Sequence, residues 1–402
     1  MTTTTPGTDF GAPGRYRDAF AVREFRVLFG AFVVSMLGSV VAALALTVLI
    51  YRRTGSPLLS ALTFTLSFLP FLFSGTLLSG FVDRIPRRRL LAGCDLASAA
   101  LVGLMALPGL PIPVLLALLF CVNLFTPLST GARGAMLPEI LPPGAVVPAR
   151  SLFRMVAQTA QICGYAAGGG LLVGLPPRGV LAVDAVAFAL SATVLRLGLR
   201  PRPGGVAPAE SWSGDWMTGL REVMGRPELR RVLLFMGLVP FFAVAPEALA
   251  APSVARLGLP ASATGWWLTA IPVGTVIGEL AGVLLLPAAW RRRLIRPFAA
   301  WSFLPLLAFT AHPGFPLALA LLVLAGTGAA ALLGADQVLL EVTPEELLGR
   351  VYTISSAGLM GLQGLGFAAA GALGEIMSPF PAIALAGGAG LVVVAALRLP
   401  KR

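Results

Sequence analysis

QICGYAA, residues Gln161 to Ala167, returns as QGLGFAA at Gln363 to Ala369, 202 positions later. The same offset carries LPEILP (Leu137 to Pro142) onto LLEVTP (Leu339 to Pro344), and no gap is needed between the two matches. A Gln, a Gly, an aromatic residue and an Ala pair are thus repeated along with a Leu, a Glu and a Pro. Chance supplies one such coincidence far more readily than two at a single spacing. The chain of 402 residues therefore reads as two copies of one unit, the mark of a protein with a site between parallel repeats.

Composition says what the unit is made of. The chain is 57% hydrophobic and 12% charged, with a mean hydropathy of +0.86. Its apolar runs are long enough to cross a hydrocarbon core of about 30 Å as helices of about 20 residues. Dividing these runs at Pro, Gly and charge clusters predicts spans near 27–50, 58–81, 90–108, 113–134, 152–174 and 179–198, then near 229–251, 262–287, 294–311, 316–338, 351–376 and 380–397. The expected fold class is an all-α membrane protein with twelve transmembrane helices in two pseudo-symmetric six-helix halves. The halves cover 25–199 and 229–398. A disordered tail occupies 1–24, a linker 200–228, and a short tail 399–402.

Charge orients the spans. With the N-terminal tail cytoplasmic, the outward loops hold only Arg52, Arg53, Arg178 and Arg256, leaving 26 of the 30 Lys and Arg residues on the cytoplasmic side. This scatter between apolar segments accounts for the net charge of +12 without nucleic acid, whose binders gather their bases into a soluble patch. In SGFVDRIPRRRLL, Ser79 to Leu91, five of the seven residues from Asp83 to Arg89 are charged, and the segment becomes the inner connection between the second and third spans. The linker opens on Gly and Pro; Trp216, Leu220 and Val223 then recur at helical spacing beside Arg221, Glu222 and Arg226, which predicts a helix lying on the inner membrane surface. Cys94, Cys121 and Cys163 are odd in number and lack metal-ligand spacing, so neither a disulfide framework nor a metal site is expected.

These residues resemble the major facilitator superfamily, in particular its bacterial exporters of the macrolide-efflux and siderophore-export kind, over roughly Phe25 to Leu397. TGSPLLSALTFTLSFLPFLFSGTLLSGFVDRIPRRRLLAGCD is similar to that branch's second and third helices with the loop between them. LPEILP and PEELLGRV resemble its loops before helices five and eleven. The resemblance implies that the loop latches the two halves on the cytoplasmic side through Asp83, Arg84, Arg88 and Arg89, with Arg133 and Arg350 in the same gate. The family's Gly falls here on Ser79, with Gly80 displaced by one. Attraction between Asp83 and the positive start of helix eleven would contribute about 0.3–1 kcal/mol. GYAAGG at Gly164 to Gly169 resembles the helix-five signature of drug and proton antiporters, with Tyr165 where Pro is usual; Gly164, Gly168 and Gly366 are read as helix-packing positions.

Ionisable groups inside the bilayer cost about 2.5–3.5 kcal/mol on insertion scales and so face a bundle interior or a wet cavity. Glu279, Glu247 and Asp184 are the candidates for proton coupling, because a carboxylate without a fixed partner in a low-dielectric site binds and releases protons near neutral pH. Each has a structural alternative, as a partner for an Arg or as a group at a wet interface. Asp95, Asp336 and Glu375 lie nearer helix ends, where solvation and capping account for them. Asn123, Gln158, Gln161 and Gln363 offer neutral hydrogen bonds to a substrate or, alternatively, between helices. Trp266 and Trp267 are expected to anchor helix eight at the outer interface. The single His, His312, falls in an outer loop, which argues against a histidine relay or a catalytic dyad, and no Gly-rich loop precedes a Lys, which argues against a nucleotide-driven pump. The expectation is a monomeric, cofactor-free exporter of lipophilic small molecules in the bacterial inner membrane, both termini cytoplasmic, working by proton antiport. A dedicated natural-product or siderophore exporter is one alternative, and a lipid-moving or sensing protein of the same architecture without proton coupling is another.

Overall fold

The computed structural model describes residues 16–71, 85–202, 216–285, 287, 290, 293–344 and 347–397. Their secondary structure is helical throughout. The N-terminal half begins with α1 (Tyr16–Ala21) and continues through α2 (Arg23–Thr54), α3 (Pro57–Phe68), α4 (Arg87–Ala106), α5 (Ile112–Ile140), α6 (Pro143–Gly174) and α7 (Pro177–Gly198). A short helix, α8 (Trp216–Gly225), precedes the second half. There follow α9 (Pro227–Ala243), α10 (Ala245–Ala248), α11 (Ala250–Arg256), α12 (Ala263–Leu285), α13 (Ile295–Leu307), α14 (Phe315–Thr327), α15 (Ala330–Val342), α16 (Leu348–Ile376) and α17 (Pro379–Ala396). Among the described residues nine helical segments are long and apolar enough to cross a membrane; the shorter apolar helices at Pro57–Phe68 and Ile295–Ala311, and the 32-residue α6, fall at the other three expected spans, and residues 72–81 of the second span lie outside the described residues.

Proline chemistry sets where the helices stop. The expected loop before the fifth span shrinks to Leu141 and Pro142, because a Pro in the first turn has no N–H to leave unbonded, while each residue ahead of a Pro is pushed to extended backbone. The seventh span, expected as one helix, is instead three. Pro246 and Pro252 cannot donate to the carbonyls four residues earlier, and the chain divides at Val244 and Leu249. The tenth span divides at Gly328 and Ala329, where the Gly328 backbone lies against Ser302 and Phe298 of α13 with no room for a side chain.

One end of the bundle carries the arginine-rich segments around 87–89, 196–202, 226–231 and 293–296; it is called the basic end here. There α1 folds onto α2 and α6 through a cluster of Phe20, Phe25, Phe29, Phe32 and Phe153, with ring centroids 5.0–6.1 Å apart. This cluster belongs to a core private to the N-terminal half. The largest core, by contrast, runs through the C-terminal half and takes in Val40, Leu44, Val48, Ala61, Phe64 and Tyr165 from the first half. In α8, Val223 is fully buried, and Glu222 meets Arg226 one turn on at 3.9 Å.

Candidate functional site

Two helix crossings join the halves at the end opposite the basic one. In the first, Gly169 of α6 meets Gly265 of α12 backbone to backbone: a Cβ built on Gly265 would lie 2.5 Å from the Tyr165 carbonyl oxygen and 2.6 Å from Gly169 Cα. In the second, α3 lies along α16, with Gly371 against Ala61 and Leu58, and Gly374 against Pro57. Phe367 stacks on Phe64 at 4.9 Å and on Phe68 at 5.6 Å. Small residues are what such close approach in lipid demands, and aromatic stacking adds about 0.5–1.5 kcal/mol per pair.

A carboxylate pins the second crossing. Helix α3 opens with Ser56 as its cap and Pro57 in its first turn, the Ser56 hydroxyl accepting from Leu59 N at 3.0 Å. Glu375, near the end of α16, accepts from that same hydroxyl and from Leu58 N–H at 3.1 Å, so a residue of one half caps a helix of the other.

From the Gly169–Gly265 crossing toward the basic end, the facing sides of α6 and α12 can be followed by helical periodicity. Gln158, eleven residues from Gly169, and Arg154, four further on, continue the α6 face; Glu279, fourteen residues from Gly265, continues that of α12. At 1.5 Å per residue Arg154 and Glu279 lie at matching depths, about 22 and 21 Å from the crossing. Asp336 of α15 is in Coulombic reach of both. Arg154 and Asp336 are exposed, Glu279 is half-buried, and no ion pair joins the three among the described residues.

The other expected proton carriers lie elsewhere. Glu247 is on the short α10, at the break in the seventh span and in Coulombic reach of the buried Tyr165, so it borders the α6–α12 crossing. Asp184 is inside the N-terminal half, 2% exposed and pressed against Gly38 of α2, and neither oxygen has a hydrogen-bond partner among the described residues. Of the amides, Asn123 turns back onto the Leu119 carbonyl at 2.9 Å, while Gln158 is exposed and Gln161 and Gln363 are half-buried. Gln161 and Gln363 are each thirteen residues from the end of their helix, at Gly174 and Ile376. Gly164 and Gly168 lie against Val40 and Leu44 of α2, and Gly366 lies against Phe241 of α9.

Asp83, Arg84 and the Arg350 side chain fall outside the described residues. The rest of the arginine cluster bonds within its own half: Arg87 pairs with Glu139 and donates to Ala135 O, Arg88 donates to Arg196 O, and Arg89 is exposed. Arg133 sits 4.2 Å over the Phe32 ring and 5.7 Å from that of Phe153, with Asp95 in Coulombic reach. Asp95 itself is buried, not solvated at a helix end, and takes the Ser191 hydroxyl at 2.5 Å; Ser191 also reaches Ala31 O. Trp267, expected at the interface, is 1% exposed. It donates to Pro246 O at 2.8 Å and so fills the break in the seventh span, leaving only Trp266 on the surface. Among the described residues no group of three or more His, Cys, Asp or Glu side chains is placed to hold a metal ion.

The sequence profile of the Major Facilitator Superfamily matches residues 27–260, more than half of the chain. The enterobactin exporter EntS of Shigella boydii serotype 4 (strain Sb227) is 27% identical over 393 residues, covering 93% of this chain and 91% of that one; EntS of Escherichia coli O139:H28 is 26% identical over the same span. Among solved structures, a bacterial homologue of the iron transporter ferroportin in its inward-facing state superposes with a TM-score of 0.69 at 13% identity, covering 92% of this chain and 97% of that one. A bacterial homologue of the human lysosomal transporter Spinster does so with a TM-score of 0.66 at 18% identity, covering 93% and 94%. By this match and by its two packed sets of membrane helices, the chain belongs to the Major Facilitator Superfamily of membrane transporters.

Proposed function

We propose that this transporter exports a lipophilic small molecule across the bacterial inner membrane in exchange for protons, its halves, 25–199 and 229–398, rocking about a central site. The basic end is taken as cytoplasmic on the distribution of arginines, and export is supported by the likeness to the enterobactin exporters. That likeness also favours a secondary metabolite of the siderophore type as substrate over a broad range of drugs. On this reading the closed opposite end makes the structure an inward-open state.

The observation that carries the coupling is the charge set between the halves: Arg154 on one side, Glu279 and Asp336 on the other, with Asp336 in Coulombic reach of both and no ion pair joining them among the described residues. When the basic ends converge, Arg154 approaches the two acids and competes with a proton for them. A proton taken up from the outside then frees the acids from Arg154 and lets the basic ends part, and in the inward-open state the acid gives that proton to the cytoplasm as substrate binds. Glu279 is placed first among the carriers because it lies on the face turned to the opposite half. Asp184 is enclosed in one half, and Glu247 borders a crossing that is already closed.

The test uses the protein in proteoliposomes with an imposed pH gradient. Glu279→Gln is expected to abolish substrate-driven proton movement, with ligand binding retained and no longer dependent on pH. Undiminished coupled flux in that variant rejects Glu279 as the carrier, and substrate flux indifferent to the gradient in the parent rejects antiport altogether.

A further inference from the structure

At the basic end of the N-terminal half, the starts of α2 and α4 and the end of α7 converge on a cavity of about 470 Å³ lined by Arg23, Glu24, Arg88, Leu197 and Arg200 among others. Its one acid is already engaged. Glu24 accepts from both terminal nitrogens of Arg202, at 3.0 and 2.6 Å, and from Arg200 N–H at 2.7 Å, which fastens the chain just beyond α7 to the start of α2. Arg88 gives one N–H to the Arg196 carbonyl. The guanidinium groups of Arg23, Arg88 and Arg200 form no ion pair among the described residues, and these three arginines against the single Glu24 give the cavity lining a net positive charge.

An apolar track leads into this cavity. On α7, Val183, Val186, Leu190, Val194 and Leu197 recur every three or four residues and are 44–77% exposed, Leu197 at the cavity rim most of all. The track is about 21 Å long, more than the roughly 15 Å of hydrocarbon that one leaflet provides. A basic pocket at headgroup level, continuous with a lipid-facing stripe, matches the two ends of a phospholipid. Arginine forks suit phosphate oxygens, and a cavity walled by cations favours an anionic headgroup over a zwitterionic one.

We propose that this cavity binds the phosphate of an anionic phospholipid from the leaflet at the basic end, its acyl chains lying along the α7 stripe. The lipid would join α2, α4 and α7 to the first residues of the linker, whatever substrate the transporter carries. A free phosphate could meet the same arginines but would gain nothing from the stripe.

The experiment takes the full chain in a neutral detergent and adds phosphatidylglycerol, phosphatidylcholine or inorganic phosphate, reading the thermal midpoint and the lipid retained in native mass spectrometry. Phosphatidylglycerol is expected to raise the midpoint and to remain bound as a single copy above its share of a mixed micelle, with phosphatidylcholine and inorganic phosphate doing neither. Arg23→Gln with Arg200→Gln should lower phosphatidylglycerol retention roughly tenfold or more. Arg230→Gln with Arg231→Gln, at exposed positions on α9, should retain it as the parent does. Equal retention of phosphatidylcholine by the parent, equal stabilisation by inorganic phosphate, or an equal loss in the α9 variant overturns the proposal. The mixed-micelle measurement on the unaltered chain decides the matter even if the cavity variant does not fold.

Discussion

Glu375 holds two donors of α3, the Ser56 hydroxyl and the Leu58 N–H, from the other half of the molecule. Removing a cap of this kind costs about 1 kcal/mol, which would shift the open-to-closed ratio of that end about fivefold. With Cys94, Cys121 and Cys163 replaced and spin labels at Arg53→Cys and Arg256→Cys, Glu375→Ala is expected to enlarge the long-distance population, whereas Glu375→Gln, which keeps an acceptor oxygen, should enlarge it less. Identical distance distributions for the parent and Glu375→Ala would remove the pin from the gate. The sequence offered Glu375 as an acid near a helix end and capping as its explanation; that the capped helix belongs to the opposite half depends on a crossing between residues more than 300 positions apart. Asp95 and Trp267 were opaque for a related reason. Their partners, Ser191 and the carbonyl of Pro246, come from other helices, and no periodicity in the sequence pairs one helix with another. Arg154 went unnoticed because a lone Arg near a basic end reads as topology, and only the positions of Glu279 and Asp336 give it a second meaning.

At the scale of helices, the Gly169–Gly265 crossing leaves no space for a methyl group, and overpacking of this order costs about 1–3 kcal/mol. Gly265→Ala should therefore separate α6 from α12, lengthening the same label-to-label distances and slowing transport. Gly170→Ala serves as the control, since a Cβ there meets nothing within 4 Å. Closure unaffected by Gly265→Ala would mean that the crossing yields without consequence. GYAAGG announced close packing on the fifth span, but which neighbour each Gly admits was not legible: Gly164 and Gly168 take α2, and Gly169 takes α12. Helix boundaries were legible where Pro and Gly punctuate an apolar run. They failed in the seventh and tenth spans, whose continuous hydropathy conceals backbone interruptions that only prolines and a close contact with α13 impose.

For the whole molecule, the 202-residue offset was the most informative feature of the sequence, because it reports two units of one topology before any helix is located. It also relates Gln161 to Gln363 at equal distances from their helix ends. If the two amides share a central cavity, each supplies a hydrogen bond of about 0.5–1.5 kcal/mol to the substrate, so each Ala substitution should weaken ligand affinity by roughly tenfold or less without lowering the thermal midpoint. The double variant should lose the sum. Lowered midpoints with unchanged affinity would assign the pair to packing within each half. Substrate identity was out of reach of the sequence because the shape of the cavity is set by the mutual tilt of helices, which no local pattern encodes.

The glycine contact between α6 and α12 also bears on speed. Two bare backbones that part have few side-chain rotamers to rearrange and few interlocked methyl groups to disengage. The friction at this contact is therefore low, and the rate at which this end opens is set instead at the α3–α16 crossing, where stacked phenylalanines and the Glu375 cap must disengage.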